Sequence, residues 1–310
     1  MKRSILYILG IILCSYIVRE FLYEGIRRNK SGEYDKLNTI FLKKNNFNTI
    51  IAGSSTAESH IIPTIFDSIT KQNSYNIGLN GQFMPVISGS LKAYLVHSET
   101  PHTIILSIDY HLYTGKLVVY RFPRFFPYLK NEPLYETLKK SDSRFWGFRY
   151  ISFYSMPFFD DTYLNAVFRG YTGLTGHYDT DFSKGYVPIP KETYQNMDTV
   201  NYKPFYSLPE KIVFSSLDSI IFLCKRKNIN IIFVATPMYY KGSAVILNKK
   251  EVMGKFKECA EKNSIPFMDY TNDPICYNKL FFADPYHLNE TGAKIFTQKF
   301  ATDVRQYLVK

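Results

Sequence analysis

The stretch HTIILSID, residues 102–109, is a continuous apolar run of buried-strand type. Successive side chains of a strand point to opposite faces of its sheet, so such a run has to be covered on both sides. Parallel sheets flanked by helices supply that environment. The neighbouring segments agree. FNTIIA (47–52) and SYNIG (74–78) read as strands, TAESHIIPTIFDSI as an irregular helix, and PVISGSLKAYLVHS (85–98) as a helix. Beyond residue 209 the rhythm resumes. The helical PEKIVFSSLDSIIFLCKRKN ends in basic residues, as a helix C-terminus favours, and the strand INIIFVATP (229–237) follows. A helix (248–263), the short strand IPFMDY (265–270) and a closing amphipathic helix (289–310) with Asn289 as N-cap complete the chain. This order predicts a flavodoxin-like three-layer α/β/α fold with a parallel sheet.

Between about 112 and 208 the pattern breaks. The segment is crowded with Tyr, Phe, Pro and Arg, holds the single Trp, Trp146, and has no sustained period. It reads as an insertion that either covers a substrate groove or packs only on itself. The aromatic share of the chain is 17%, with 26 Tyr and 25 Phe. Such rings suit cores, membrane interfaces and sugar faces alike.

The N-terminus bears on compartment. Lys2 and Arg3 precede an apolar run from Ile5 to Val18. That length fits a signal h-region and is short for a full span. No small-x-small cleavage site follows, and Phe21, Leu22 and Tyr23 prolong the apolar face. Ile12 and Leu13 precede Cys14, where a lipidation site needs a small residue. The expectation is an uncleaved signal anchor over 1–23 with the remainder exported; a buried N-terminal helix of a cytosolic protein is the alternative. Residues 24–45, charged and rich in turn formers, read as a linker or juxtamembrane helix, leaving 46–310 as the α/β domain. The net charge of +11 favours an anionic neighbour. Nucleic acid is disfavoured, because the Lys and Arg residues are scattered and no recognition module is present. With Cys14 in the membrane, Cys224, Cys259 and Cys276 allow one bridge at most, and no Cys/His spacing calls for a metal.

Ligands of open parallel sheets bind at the carboxyl ends of the strands. Three such places carry suggestive residues: Gly53-Ser54-Ser55-Thr56 after the first strand, Asn76-Ile77-Gly78-Leu79-Asn80-Gly81 after the second, and Asp284 three residues before His287. A serine becomes a nucleophile when a base takes its proton and an acceptor holds that base in the right tautomer. Asp284 and His287 could supply both from one turn. Ser55 would then attack, with its own N–H and that of Gly81 facing the developing oxyanion. His60 and His111 are alternative bases, but only His111 has an acidic neighbour, Asp109.

In these residues the chain resembles the SGNH (GDSL-type) hydrolase superfamily, over roughly 47–111 and 209–310. The resemblance implies Ser55 as nucleophile, Gly81 as oxyanion donor and Asp284 with His287 as the remaining pair. Gly-Ser-Ser in place of Gly-Asp-Ser, together with the anchor, looks closest to membrane-tethered members of the teichoic acid D-alanine transfer and alginate O-acetyltransferase-like type. One departure stands out. The superfamily usually places an oxyanion-donating Asn after the third strand, where this chain has Asp109. A carboxylate cannot donate. Either Asn80 or Asn76 substitutes, or Asp109 has another task, or oxyanion stabilisation is weaker by the ~10²–10³ in rate that one donor is worth. Asp109, Tyr110 and Trp146 are candidate substrate contacts.

The resemblance implies a membrane-anchored serine acyltransferase or esterase outside the cytoplasm, acting on O-acyl groups of an envelope polysaccharide or wall polymer without a cofactor. A transferase would need an acyl supply, from an integral-membrane acyltransferase partner. The rival expectation is a non-catalytic glycan-binding or assembly protein that keeps the fold alone.

Overall fold

The computed structural model describes residues 2–109, 118–174, 183–190, 203–207 and 211–308. Five parallel strands form its sheet: β1 (Thr49–Ala52), β2 (Ser74–Asn76), β3 (Thr103–Ser107), β4 (Asn230–Ala235) and β5 (Phe267–Asp269). Their order is β2-β1-β3-β4-β5, so the chain reverses direction across the sheet between β1 and β3. That reversal is the topological switch point at which doubly wound sheets open a crevice. Ile50 pairs with Ile104 and Ile51 with Ile105 in register.

Helices cover both faces, as the apolar strands require. The helices of the described residues are α1 (Lys2–Arg28), α2 (Gly32–Phe41), α3 (Ser55–His60), α4 (Pro63–Thr70), α5 (Met84–His97), α6 (Glu132–Ser141), α7 (Phe145–Tyr150), α8 (Asp161–Thr172), α9 (Lys211–Arg226), α10 (Tyr240–Ala244), α11 (Lys249–Lys262) and α12 (Glu290–Val304). Strand alternation divides the interior in two. Ile50, Ile104, Leu106 and Phe233 point into a core shared with residues of α2, α5, α9 and α11. Ile51, Ile105, Ile232 and Val234 point into a second core with residues of α3, α4 and α12.

Residues 24–45, where a linker or juxtamembrane helix was expected, hold the last turns of α1 and the whole of α2. Leu37, Ile40 and Phe41 are buried in the first core, as is Ile26 of α1. Lys36 of α2 is buried against Glu58 of α3, Nζ to Oε1 2.8 Å. Charge thus misled the sequence reading here: the lysine is a paired interior group, whose ammonium burial pushes down in pKa while Glu58 opposes the shift.

The described part of the aromatic insertion does two things. Phe122, Phe126, Phe148 and Phe158 pack on one another, mostly edge to face, with ring centroids 4.4–6.2 Å apart, and this cluster joins the first core. The insertion also clasps α1. Tyr23 Oη bonds Ser155 Oγ at 3.1 Å, Asn29 Nδ2 donates to the Ala166 carbonyl at 2.9 Å, and Tyr171 stacks on Phe21 with centroids 4.6 Å apart. A Cβ on Gly170 would lie 1.7 Å from the Gly25 carbonyl oxygen, so α8 and α1 cross at a distance only glycine permits.

Candidate active site

β1 runs without a break into Gly53, whose φ of +154° suits glycine, and a Cβ there would meet Ser107 and Ala57 at under 3 Å. The chain then turns through Ser54 into α3, with Ser55 as its first residue. From Thr49 to Pro63 every residue is buried except Ser55. A strand ending at the switch point and a tight turn onto a helix therefore leave one hydroxyl reaching the surface.

A second local structure meets it. Phe282 and Leu288 form an antiparallel bridge, closing a short loop between them. Within this loop Asp284 Oδ1 accepts the backbone N–H groups of Tyr286 (2.8 Å) and His287 (2.9 Å). Asn289 then caps α12 through the Gly292 N–H and donates to the Leu280 carbonyl. The loop holds His287 with Nδ1 at 2.8 Å from Asp284 Oδ2 and Nε2 at 2.8 Å from Ser55 Oγ. Because the carboxylate can only accept, Nδ1 carries the proton and Nε2 is the acceptor facing the serine. Burial raises the Asp284 pKa, but the His287 hydrogen bond and charge and the two amides outweigh it, holding the carboxyl below its usual range.

Asp109 does not face outward as a substrate contact would. It is buried beyond β3, and its Oδ2 accepts Ser54 Oγ at 2.5 Å and Thr56 Oγ1 at 2.7 Å. Ser107 Oγ lies 3.1 Å from the Thr56 hydroxyl. The two residues flanking Ser55 are thereby tied to the neighbouring strand end. Asn76 is also committed elsewhere: its amide donates to the carbonyls of Ala57 and Ile61 and accepts the Gly78 N–H. It is therefore a brace between β2 and α3 rather than a substitute oxyanion donor. The loop carrying Asn80 and Gly81 continues alongside β1, with the Leu79 N–H on the Gly53 carbonyl at 3.1 Å. Arg124 of the insertion donates to the Asn80 carbonyl, and the Tyr120 ring packs on Gly81. Trp146 lies on α7, its ring tilted against that of Tyr150, and the Arg149 carbonyl of the same helix accepts from Arg19 of α1. Tyr110 and His111 fall outside the described residues.

Sequence reasoning passed over what His60, Ser54, Thr56 and the segment 183–190 contribute. His60, weighed only as a rival base, is fully buried at the end of α3 and accepts the Leu288 N–H on Nε2 at 3.0 Å, with Nδ1 2.9 Å from Thr236 Oγ1. Burial, reinforced by the nearby His287, drives its pKa well down, so it stays neutral. Ser54 and Thr56 anchor the turn. The segment 183–190 of the insertion bridges the two halves of the site: the Val187 N–H bonds the Glu58 carbonyl of α3, and the Glu290 N–H at the start of α12 bonds the Ile189 carbonyl. None of these has a motif. Each is visible only once β1, β3, β4 and α12 are side by side.

No protein-family model matches the chain, and no curated protein does. Among solved structures, the chain is similar to a Bacteroides fragilis protein designated an acylhydrolase, at 13% identity and a TM-score of 0.43, covering 87% of this chain and 95% of that one. A Desulfitobacterium hafniense protein designated a lipolytic member of the G-D-S-L family matches at 10% identity and a TM-score of 0.44, over 84% and 99% of the two chains. A GDSL-like lipase from Bacteroides thetaiotaomicron matches at 10% identity and 0.40, over 84% and 89%. At that distance the likenesses bear on neither substrate nor mechanism, which rest on the side chains.

Proposed function

We propose that this protein is a membrane-anchored serine esterase or acyltransferase that works through Ser55, His287 and Asp284. One observation carries the proposal: a surface-reaching hydroxyl at the switch point lies 2.8 Å from an imidazole nitrogen whose partner nitrogen is held by a carboxylate. His287 Nε2 takes the Ser55 proton as Oγ attacks an ester carbonyl. The tetrahedral oxyanion forms beside the Ser55 N–H, one of the first-turn amides that have no partner inside their helix. The Gly81 N–H is the proposed second donor. His287 then gives its proton to the leaving alkoxide, leaving acyl-Ser55. Water or a sugar hydroxyl, deprotonated by His287 in turn, takes the acyl group, and the imidazolium returns that proton to the departing Ser55 Oγ. Asp284 orients the imidazole throughout and stabilises its cation.

Helix α1 supports an anchor over a cleaved leader. Tyr23, Gly25 and Ile26 are buried against the domain, so removing the helix would open a gap in the first core. Residues 2–18 stand clear of it, and the helix is long and apolar enough to cross a membrane. A tethered domain outside the cytoplasm fits O-acyl groups of an envelope polysaccharide or wall polymer as substrate. For transfer, the acyl group would come from an integral-membrane acyltransferase.

A fluorophosphonate probe tests the nucleophile. The wild-type chain should label, and Ser55→Ala should not; equal labelling would remove Ser55 from the role. The Asp109 carboxylate, turned onto Ser54 and Thr56 where the superfamily has a donor, favours a second reading, a glycan-binding protein without turnover. Polysaccharide binding that survives Ser55→Ala, with no acyl change by either chain, would select it.

A further inference from the structure

Helix α1 is too short, where it stands free, to cross a bilayer by itself. The apolar run Ile5–Val18 spans 14 residues, about 21 Å at ~1.5 Å per residue, against a hydrocarbon core of about 30 Å. About six more residues are needed, which brings the outer boundary of the hydrocarbon to Arg19–Glu24. Those residues are the ones the insertion grips. Arg19 Nη1 donates to the Arg149 carbonyl, Tyr23 reaches Ser155, and the Tyr171 hydroxyl donates to the Phe21 carbonyl at 2.8 Å. The domain surface at that level must therefore meet the lipid.

That surface is apolar and aromatic on both flanks of the helix. Beside Arg149 on α7 stand Trp146, 54% exposed, and Tyr150, 57% exposed. Across α1, Phe168 is 58% exposed one turn from Tyr171 on α8, and Phe21 is 57% exposed between the flanks. Grouped exposed rings mark a contact surface, and Trp and Tyr are enriched where hydrocarbon gives way to headgroups. A cationic tier accompanies them. Lys130 pairs with Glu20 at this level, and Arg28, Lys30 and Arg169 line one open cavity that Tyr171 also borders. Cations at such a level are drawn to an anionic leaflet surface.

We propose that the insertion forms an interfacial collar: Trp146, Tyr150, Phe168 and Phe21 sit in the acyl–headgroup boundary, so the catalytic domain lies flush on the bilayer. The collar rests on the reading of α1 as a retained anchor. It gives the insertion a function that the triad does not use, and it limits the domain to substrates presented close to the membrane surface.

Trp146 is the chain's only tryptophan, so its emission reports the collar directly. The full chain is reconstituted into phosphatidylcholine–phosphatidylglycerol vesicles, and flotation shows whether it is bound. In floated protein the collar predicts a blue-shifted emission that iodide fails to quench. Lipids brominated near the headgroup should quench it more than lipids brominated at the chain end. A second probe, Trp146→Phe with Phe168→Trp, should behave alike on the other flank. Floated protein whose tryptophan is quenched by iodide and ignored by brominated lipid overturns the collar while leaving the anchor. Protection from both quenchers also overturns it, because protein then covers the surface. Protein that does not float overturns the anchor and the collar together.

Discussion

His60 Nε2 accepts the backbone N–H of Leu288, the residue after His287, across 3.0 Å. This bond ties the far end of the nucleophile's helix to the loop that carries the base. The His60 carbonyl accepts Thr297 Oγ1 at 3.1 Å, tying the same end of α3 to α12, the helix that follows the loop.

Replacing His60 should therefore loosen the distance between Ser55 and His287 without touching either. His60→Ala orphans a buried N–H, at a cost of about 1–3 kcal/mol. It should lower kcat on a p-nitrophenyl ester with KM nearly unchanged. Gln, whose amide oxygen can accept from Leu288, should recover part of both stability and rate. Equal loss in Ala and Gln variants would show that ring packing, rather than the hydrogen bond, is what matters.

The same ring should make stability pH-dependent. His60 is neutral when folded because its pKa is depressed by burial and by His287. Below the ordinary histidine value of about 6.5 the unfolded chain binds a proton that the folded chain refuses. Stability is thus fully present above that pH and falls as pH drops below it, by up to about 1.4 kcal/mol per unit. Urea unfolding between neutral pH and pH 5 should show this slope, and His60→Gln should flatten it.

Asp284→Asn separates orientation from folding. The Asn oxygen can still accept the Tyr286 and His287 amides, so the melting temperature should stay close to wild type. The amide nitrogen in place of Oδ2 would face Nδ1 as a donor and move the imidazole proton to Nε2, where it cannot receive from Ser55. A fall of ~10⁴ in kcat is expected by analogy with other triads. A loss of less than tenfold would remove Asp284 from the orienting role.

Asp109 should behave as a brace. Asp109→Ala leaves the Ser54 hydroxyl without its buried acceptor, costing about 1–3 kcal/mol, and frees the turn beneath Ser55. Asp109→Asn keeps an acceptor for both hydroxyls and should retain most stability in urea. If Ala and Asn variants unfold alike, the carboxylate charge itself holds the turn.

Gly170→Ala tests how α1 is held. The added carbon meets the Gly25 carbonyl oxygen, so the helices must move apart. Overpacking of this kind costs about 1–3 kcal/mol. Thermal unfolding of the detergent-solubilised full chain should register it. An unchanged melting temperature would mean that α8 does not support the domain.

Sequence periodicity was enough for the parallel sheet, because residues apolar on both faces of a strand have few places to go. Spacing was enough for the Asp284–His287 pair, which lie within one loop and need no distant partner to meet. The N-terminal apolar run was equally legible, since its composition is local. The approach of His287 to Ser55, 232 positions away in the chain, was an expectation that the packing of α12 against α3 turned into 2.8 Å. Other features had no local signature at all. Lys36 reads as a solvated charge until α2 presses it onto Glu58, and Asp109 as a substrate contact until the β1–β3 pairing brings Ser54 and Thr56 to it. Residue type determines what a side chain can do; which polar groups lose their water, and to whom they turn instead, depends on neighbours that only the folded chain brings together.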